Sequence, residues 1–215
     1  MGPEAHHLIH VMRARIGDEV ELFDGSGAEF VATVERLGRA EVELAISSRA
    51  EVDRESPRPC TLAVALPKGD RQQWLVEKAV ELGIARLVPI VTARGVAQPT
   101  DNALARLRRA VVEATKQCGR TRLMAIDAPS TWPALLAESS TSQRRLIAHP
   151  GGVSLRTALP AEGPLLVAIG PEGGFTDQEV QQALAAGWQQ ASLGPRILRI
   201  ETAAIFVAAV VSAQA

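Results

Sequence analysis

The chain has 215 residues, room for one compact catalytic domain and a small accessory module, with 47% hydrophobic and 22% charged residues as in ordinary globular proteins. No apolar run reaches the roughly 18 residues that a membrane span needs. No basic-then-apolar leader opens the chain, and Cys60 and Cys118 are too few and too isolated for a disulfide framework or a metal site, so membrane insertion, export and zinc chemistry are set aside and a reducing cytoplasm is expected.

The net charge of −1 conceals an uneven distribution. Residues 1–56 carry 6 Lys/Arg against 12 Asp/Glu, residues 57–128 carry 12 against 6, and residues 129–215 carry 5 against 6. A basic middle segment permits RNA binding without demanding it, since solvated helix faces give the same pattern. With no Tyr, three Trp and four Phe, a base-stacking platform is poorly supported.

Glu19–Phe23 alternates polar and apolar residues and runs into the turn Asp24-Gly25-Ser26-Gly27. Phe30–Val34 and Ala40–Ile46 continue the alternation, so residues 1–56 read as a small barrel or open β-module. Residues 51–59 form a polar, Pro-containing joint. Beyond it, over 57–215, strands and helices alternate. The apolar run Leu62–Leu66 precedes Pro67-Lys68-Gly69-Asp70, where Asp70 and Gln73 have capping-box spacing for a helix ending at Gly83. Leu87–Val91 is a second buried strand. Thr100 or Asp101 caps a helix with Leu104, Leu107, Val111, Ala114 and Cys118 on one face. Leu146–Ala148 and Leu165–Ile169 are further strands, and Thr176 and Glu179 form another capping box for a helix ending at Gly187. This order predicts an α/β domain with a mostly parallel sheet. The terminal helix, Thr202–Ala213, carries no charge and is apolar on all sides. It needs cover all round, from a subunit interface or from a central place in the core.

Two loops sit where ligands bind in such sheets, beyond the carboxyl ends of strands. Gly170-Pro171-Glu172-Gly173-Gly174-Phe175-Thr176 lets backbone groups approach a ligand closely. It matches neither the Walker pattern nor GxGxxG, and Glu172 would repel a phosphate, so a cationic or hydroxyl-rich ligand suits it better. A tight turn with an exposed Glu is the alternative. Ser192–Thr202, SLGPRILRIET, is a second such loop, with Arg199 and Glu201 at the start of the final helix.

GPEGGF followed by LGPRILRIETA resembles the ribosomal RNA small subunit methyltransferase E family. So do LPKGDRQQWLVEKAVELG (with Lys68, Lys78, Glu81 and Gly83), EATKQCGR (113–120) and HHLIHVMRARIGDEVELFDGSG (with His7, Arg13, Gly17 and Asp18). The resemblance spans almost the whole chain in the right order. It implies a PUA-like β-barrel over 1–56, then an α/β SPOUT methyltransferase domain over 57–215 whose C-terminal part makes a trefoil knot. It also implies S-adenosylmethionine as cofactor, a homodimer built on the C-terminal helix, and methylation of N3 of uridine 1498 of 16S rRNA in the small ribosomal subunit. The chain departs from the family at two places. It begins almost at His6-His7, without the Arg-aromatic arm, and it has Leu123-Met124-Ala125 where the family commonly has a Pro.

By position, the resemblance places cofactor contacts at Leu146, His149, Gly170, Pro171, Glu172, Gly173, Gly174, Leu193, Gly194, Ile197, Leu198 and Arg199. Arg199 is the candidate for stabilising an anionic uracil, and Glu201 or Glu172 for orienting a donor or accepting the N3 proton, with binding of the cofactor's ribose or ammonium as the other role for one of them; an ordinary Arg199–Glu201 ion pair at a helix start is the bland alternative. His7, Arg13, Lys68, Arg71, Lys78 and Arg120 are candidate RNA contacts that position phosphates rather than read bases. No metal is implied. A SPOUT enzyme on another RNA, a non-catalytic RNA-binding ribosome-assembly factor and a nucleotide-binding α/β protein remain as rivals.

Overall fold

The computed structural model describes residues 2–96, 99–138 and 142–213. The chain divides into two compact units, Met1–Arg54 with Arg120–Arg122, and Glu55–Gly119 with Leu123–Ala215. The division after Arg54 falls inside the Pro-containing segment 51–59.

The first unit opens with a single helical turn, α1 (Pro3–His6), and a π-helical turn (His7–Val11). Strands β1 (Glu19–Phe23), β2 (Ala28–Leu37) and β3 (Val42–Glu51) then pair antiparallel in the order β1-β2-β3. The β1–β2 turn is held by Asp24, whose carboxylate accepts hydrogen bonds from the Ser26 N–H (2.8 Å) and hydroxyl (2.6 Å). These bonds keep the Asp24 carboxyl below its ordinary pKa. Gly27 sits at φ +113, and a Cβ there would lie 2.8 Å from the Arg122 guanidinium. Residues 120–122 rejoin this unit through three links. Gly27 N–H donates to the Thr121 carbonyl, the Thr121 hydroxyl donates to the Val52 carbonyl, and Ser26 bridges Arg122. The sheet is open among the described residues, one of the two forms that the turn pattern allowed.

The second unit runs β4 (Cys60–Val64), α2 (Arg71–Glu81), β5 (Arg86–Val91), α3 (Asp101–Cys118), β6 (Ala125–Ile126), β7 (Ser130–Thr131), α4 (Trp132–Glu138), β8 (Arg144–Ser154), α5 (Leu155–Ala158), β9 (Leu165–Ile169), α6 (Asp177–Ala185), β10 (Gln189–Ser192) and α7 (Ile200–Ser212). The strands form one sheet, β10-β8-β9-β4-β5-β6, with β7 also on β5, and every pairing is parallel. Alternation along the strands sends side chains to two cores. Leu62, Val64, Leu146, Leu165 and Val167 face α2, α3 and α7, whereas Ala63, Ala65, Ile147, Leu166 and Ala168 face the other way. A sheet covered on both faces explains why its strands read as unbroken apolar runs.

The second core is built from alanines on the sheet and large rings above them. Trp132 lies 4.8 Å from Phe175 and 5.7 Å from Trp188, centroid to centroid, and all three are buried. Three of the seven aromatic residues are therefore structural and cannot stack on RNA bases.

Thr100 caps α3 as expected, its hydroxyl accepting the Ala103 N–H, and Gly119 ends that helix at φ +71. The Thr176–Glu179 capping box of α6 is complete. The box read at Asp70–Gln73 does not form. Asp70 already has helical backbone angles (φ −67, ψ −16), so its side chain does not turn back onto the helix, and Gln73 donates instead to Glu77. Helix α7 buries Ala203, Ala204, Val207, Ala208 and Val211 within its own unit, and Phe206 remains 41% exposed.

Cys60 starts the central strand β4, and burial pushes its thiol up to about 12. Cys118, at the end of α3, is only partly covered. In the native protein a thiol reagent at neutral pH should modify Cys118, and Cys60 only on unfolding. Mass mapping of the adducts checks this, and fast labelling of Cys60 would contradict the packing of β4.

Candidate cofactor site

The site arises from a mismatch between neighbouring parallel strands. Strand β8 pairs with β9 only through Ile147, opposite Ala168. On its other side it pairs with β10 at Leu146 and Ile147, then resumes at Val153 opposite Ala191. Gln190 and Ala191 are adjacent, so residues 148–152 have no counterpart in β10 and arch out of the sheet. Gly152 closes this arch. A Cβ on it would lie 2.5 Å from the Gln190 carbonyl carbon and the Ala191 nitrogen, so the two backbones meet where no side chain fits.

The arch, the turn after β9 and the loop after β10 enclose a cavity of about 570 Å³. Ala148, His149 and Pro150 form one wall, and the ring of His149 is fixed by the Gly151 N–H, which donates to Nδ1 at 3.2 Å. Gly170, Pro171, Glu172 and Gly174 form the second wall. The Gly174 N–H closes the turn onto the Pro171 carbonyl at 2.8 Å, and a Cβ on Gly170 would crowd the buried Phe175 ring at 3.0 Å. Leu193, Gly194, Ile197 and Leu198 form the third wall, with Ile200 and Ala203 of α7 at the base. Ile197 is 98% exposed, an apolar side chain with nothing yet to cover. The arrangement offers backbone polar groups, an apolar lining and two charged side chains, the Glu172 carboxylate and the Arg196 guanidinium. That chemistry suits a compact ligand carrying an apolar part and charged groups of both signs.

Three of the residues expected to line the site stand outside it. Leu146 is fully buried and faces the α2/α3/α7 core, because the arch begins two residues later; Ala148 takes its place. Gly173 turns its carbonyl away from the cavity, to Arg94 Nη1 at 2.8 Å. Arg199 is exposed and serves as N-cap of α7, its carbonyl accepting the Ala203 N–H.

Glu201 is 7% exposed, with Oε1 3.5 Å from Arg71 Nη1 and Oε2 without a hydrogen-bond partner among the described residues. Arg71 also reaches Glu172, at 3.7 Å. Of the other basic candidates, Lys68 is exposed and Lys78 pairs with Glu81 on the same helix at 2.6 Å. In the first unit His7 and Arg13 are exposed, Arg13 with left-handed backbone (φ +55). Arg120, by contrast, is buried, at 5% exposed.

Sequence reasoning missed the supports of the glycine turn. Glu179 is buried and accepts hydrogen bonds from the Thr176 N–H, the Thr176 hydroxyl and the Ala93 N–H, joining the loop after β5 to the start of α6. Arg94, from that same loop, lies along Gly173. The capping box was a visible signal for Glu179 and Thr176, but nothing local pointed to residues 93 and 94, about 80 positions earlier.

Residues 54–212 match the RNA methyltransferase domain family, and residues 2–47 match the RNA methyltransferase PUA domain. The chain is 35% identical over 208 residues to the ribosomal RNA small subunit methyltransferase E of Synechocystis, covering 93% of this chain and 67% of that protein. The chain belongs to the ribosomal RNA small subunit methyltransferase E family. Within the family, the Neisseria gonorrhoeae enzyme solved with S-adenosylmethionine bound superposes with a TM-score of 0.90 at 31% identity, over 98% of this chain and 89% of that one. A Legionella pneumophila protein solved with the same cofactor superposes with a TM-score of 0.90 at 34% identity, over 99% of this chain and 90% of that one. The segments GPEGGF and LGPRILRIETA, which carried the resemblance in the sequence, supply the second and third walls of the cavity, apart from residues such as Gly173 and Arg199 that stand outside it.

Gly152→Ala should destabilise the fold by about 1–3 kcal/mol through forced separation of β8 and β10. Gly151→Ala should be tolerated, because its Cβ would meet only the side chains of Gln190 and His149 at 3.3–3.4 Å. Thermal unfolding of the two variants checks this; equal midpoints would mean that the arch is not held by backbone contact at Gly152.

Proposed function

We propose that this chain transfers a methyl group from S-adenosylmethionine to N3 of uridine 1498 of 16S rRNA, with the small ribosomal subunit as substrate. The observation that carries the reading is the cavity, whose second and third walls are the two family motifs at the carboxyl ends of β9 and β10. The residues fit this cofactor. Glycine turns bring main-chain groups to the ligand, Leu193, Ile197 and Leu198 cover an apolar body, and Glu172 suits an ammonium or ribose hydroxyls. His149, Gly170, Pro171, Gly174 and Gly194 would complete the contact. S-adenosylmethionine supplies an electrophilic methyl group on a sulfonium, so the protein's tasks are alignment, charge and exclusion of water.

Arg199, exposed beside the cavity at the head of α7, would stabilise negative charge on a uracil ring that has lost its N3 proton. Glu201 Oε2 is the unengaged acceptor at the same helix start, suited to orienting a donor or taking that proton. His7, Arg13, Lys68 and Lys78 would position the RNA backbone. The family's knot, its dimer through α7 with Phe206 on the outer face, and a cytoplasmic setting belong to the same proposal.

Calorimetric titration with S-adenosylmethionine should show one saturable site per chain or per dimer, and parallel titration with ATP should show none. Preferential ATP binding would sink the reading in favour of a phosphate loop. Small subunits lacking the modification should then accept one methyl group, mapped to N3 of the uridine. In that assay Arg199→Ala should lower kcat about 10²–10³-fold while cofactor affinity is retained. An unchanged kcat would remove Arg199 from the reaction.

A further inference from the structure

The guanidinium of Arg71 stands between two carboxylates from different segments. Nη1 is 3.5 Å from Glu201 Oε1, and Nη2 is 3.7 Å from Glu172 Oε1. Arg71 opens α2, Glu172 is in the glycine turn after β9, and Glu201 lies in the first turn of α7. Both separations exceed those of strong hydrogen bonds, so charge rather than directional bonding holds the trio. The three side chains together carry −1, and a phosphate approaching Arg71 would meet two carboxylates within 4 Å of the same cation.

Glu201 is buried to 7% exposure, and its second oxygen has no partner among the described residues, so Arg71 is its counter-charge. Removing that cation leaves the buried Glu201 carboxylate at the start of α7 uncompensated and the Glu172 carboxylate of the glycine turn free to repel it.

We propose that Arg71 is a positioning residue for the cofactor cavity, tying the Gly170–Gly174 turn to the start of α7, and that its charge is not spent on RNA phosphate. This replaces the RNA-contact role that position alone suggested, and it rests on the cavity being the S-adenosylmethionine site.

The test uses the full chain with Arg71→Gln and Arg71→Lys. Calorimetry gives the S-adenosylmethionine Kd, steady-state methylation of small subunits gives kcat and KM, and small-subunit binding is measured across a salt series. Arg71→Gln should raise the cofactor Kd and KM about 10-fold, with kcat changed far less, and Arg71→Lys should recover most of that loss. Adding Glu172→Gln to Arg71→Gln should cost less than the two single effects summed. The salt dependence of RNA binding should keep its slope. A slope reduced by about 0.9 with an unchanged cofactor Kd would overturn the proposal and return Arg71 to the phosphate contacts. Equal loss in the Gln and Lys variants, tracking a fall in the thermal midpoint, would also overturn it, by showing a purely structural role. If the wild-type chain binds no S-adenosylmethionine, the cofactor reading itself fails; if it binds and Arg71→Gln binds equally well, only the role of Arg71 fails.

Discussion

The site depends on β8 outrunning β10 by five residues between Ile147 and Val153. A parallel sheet normally delivers its loops as separate crossings at the carboxyl edge. Here one strand leaves the sheet, arches, and rejoins the same neighbour. The arch makes room between β9 and β10 for a ligand, and the missing side chain of Gly152 lets the backbones close again behind it. The turn after β9 and the loop after β10 then face each other across the space that the arch has opened. Leu146, before the arch, belongs to the core; Ala148 and His149, within it, belong to the cavity.

The walls are stiffened from outside by polar links at their backs. Glu179 spends its carboxylate on three donors, two from Thr176 and one from Ala93, so the glycine turn is anchored at the point where it becomes α6. Its carbonyl also accepts the indole N–H of Trp132, which ties the turn to the aromatic core beneath. Arg94 takes the Gly173 carbonyl from the opposite side. A loop rich in glycine would otherwise lose much conformational entropy on binding a ligand; these contacts order it beforehand. The carboxylates around these walls fall into two kinds. Glu179 is fully engaged and structural, whereas Glu172, at the cavity, and Glu201, buried at the start of α7, share one arginine.

Helix α7 illustrates how composition can leave a choice open. Its sequence is apolar all round, and the fold satisfies one face: Ala204, Val207, Ala208 and Val211 pack within the unit, and Phe206 stays outside. Ala203, Ala204 and Ala208 turn inward with Val207 and Val211, where α7 lies on β4, β9 and α2, and the Phe206 ring and Ala209 are turned out.

The sequence by itself determined β4, β5, β9 and the helices α2, α3, α6 and α7 of the α/β unit, because apolar runs covered on both faces and amphipathic or wholly apolar helices carry local signatures; β6, β7, α4 and α5 are too short to carry one. Leu165–Ile169, Thr100 and the Thr176–Glu179 box are where those signatures placed them. It also marked the two glycine loops as the place for a ligand, since backbone approach requires glycine. The capping box at Asp70 was a false signal, because spacing does not report backbone angles and Asp70 had already entered the helix. The tertiary structure alone decided the arch in β8, the exclusion of Leu146 and Gly173 from the cavity, the burial of Arg120, and the support by Ala93 and Arg94. All of these depend on register between strands or on contacts between residues far apart in the chain. Local propensity contains neither, because both are set only when the sheet has assembled and each backbone has found its neighbour.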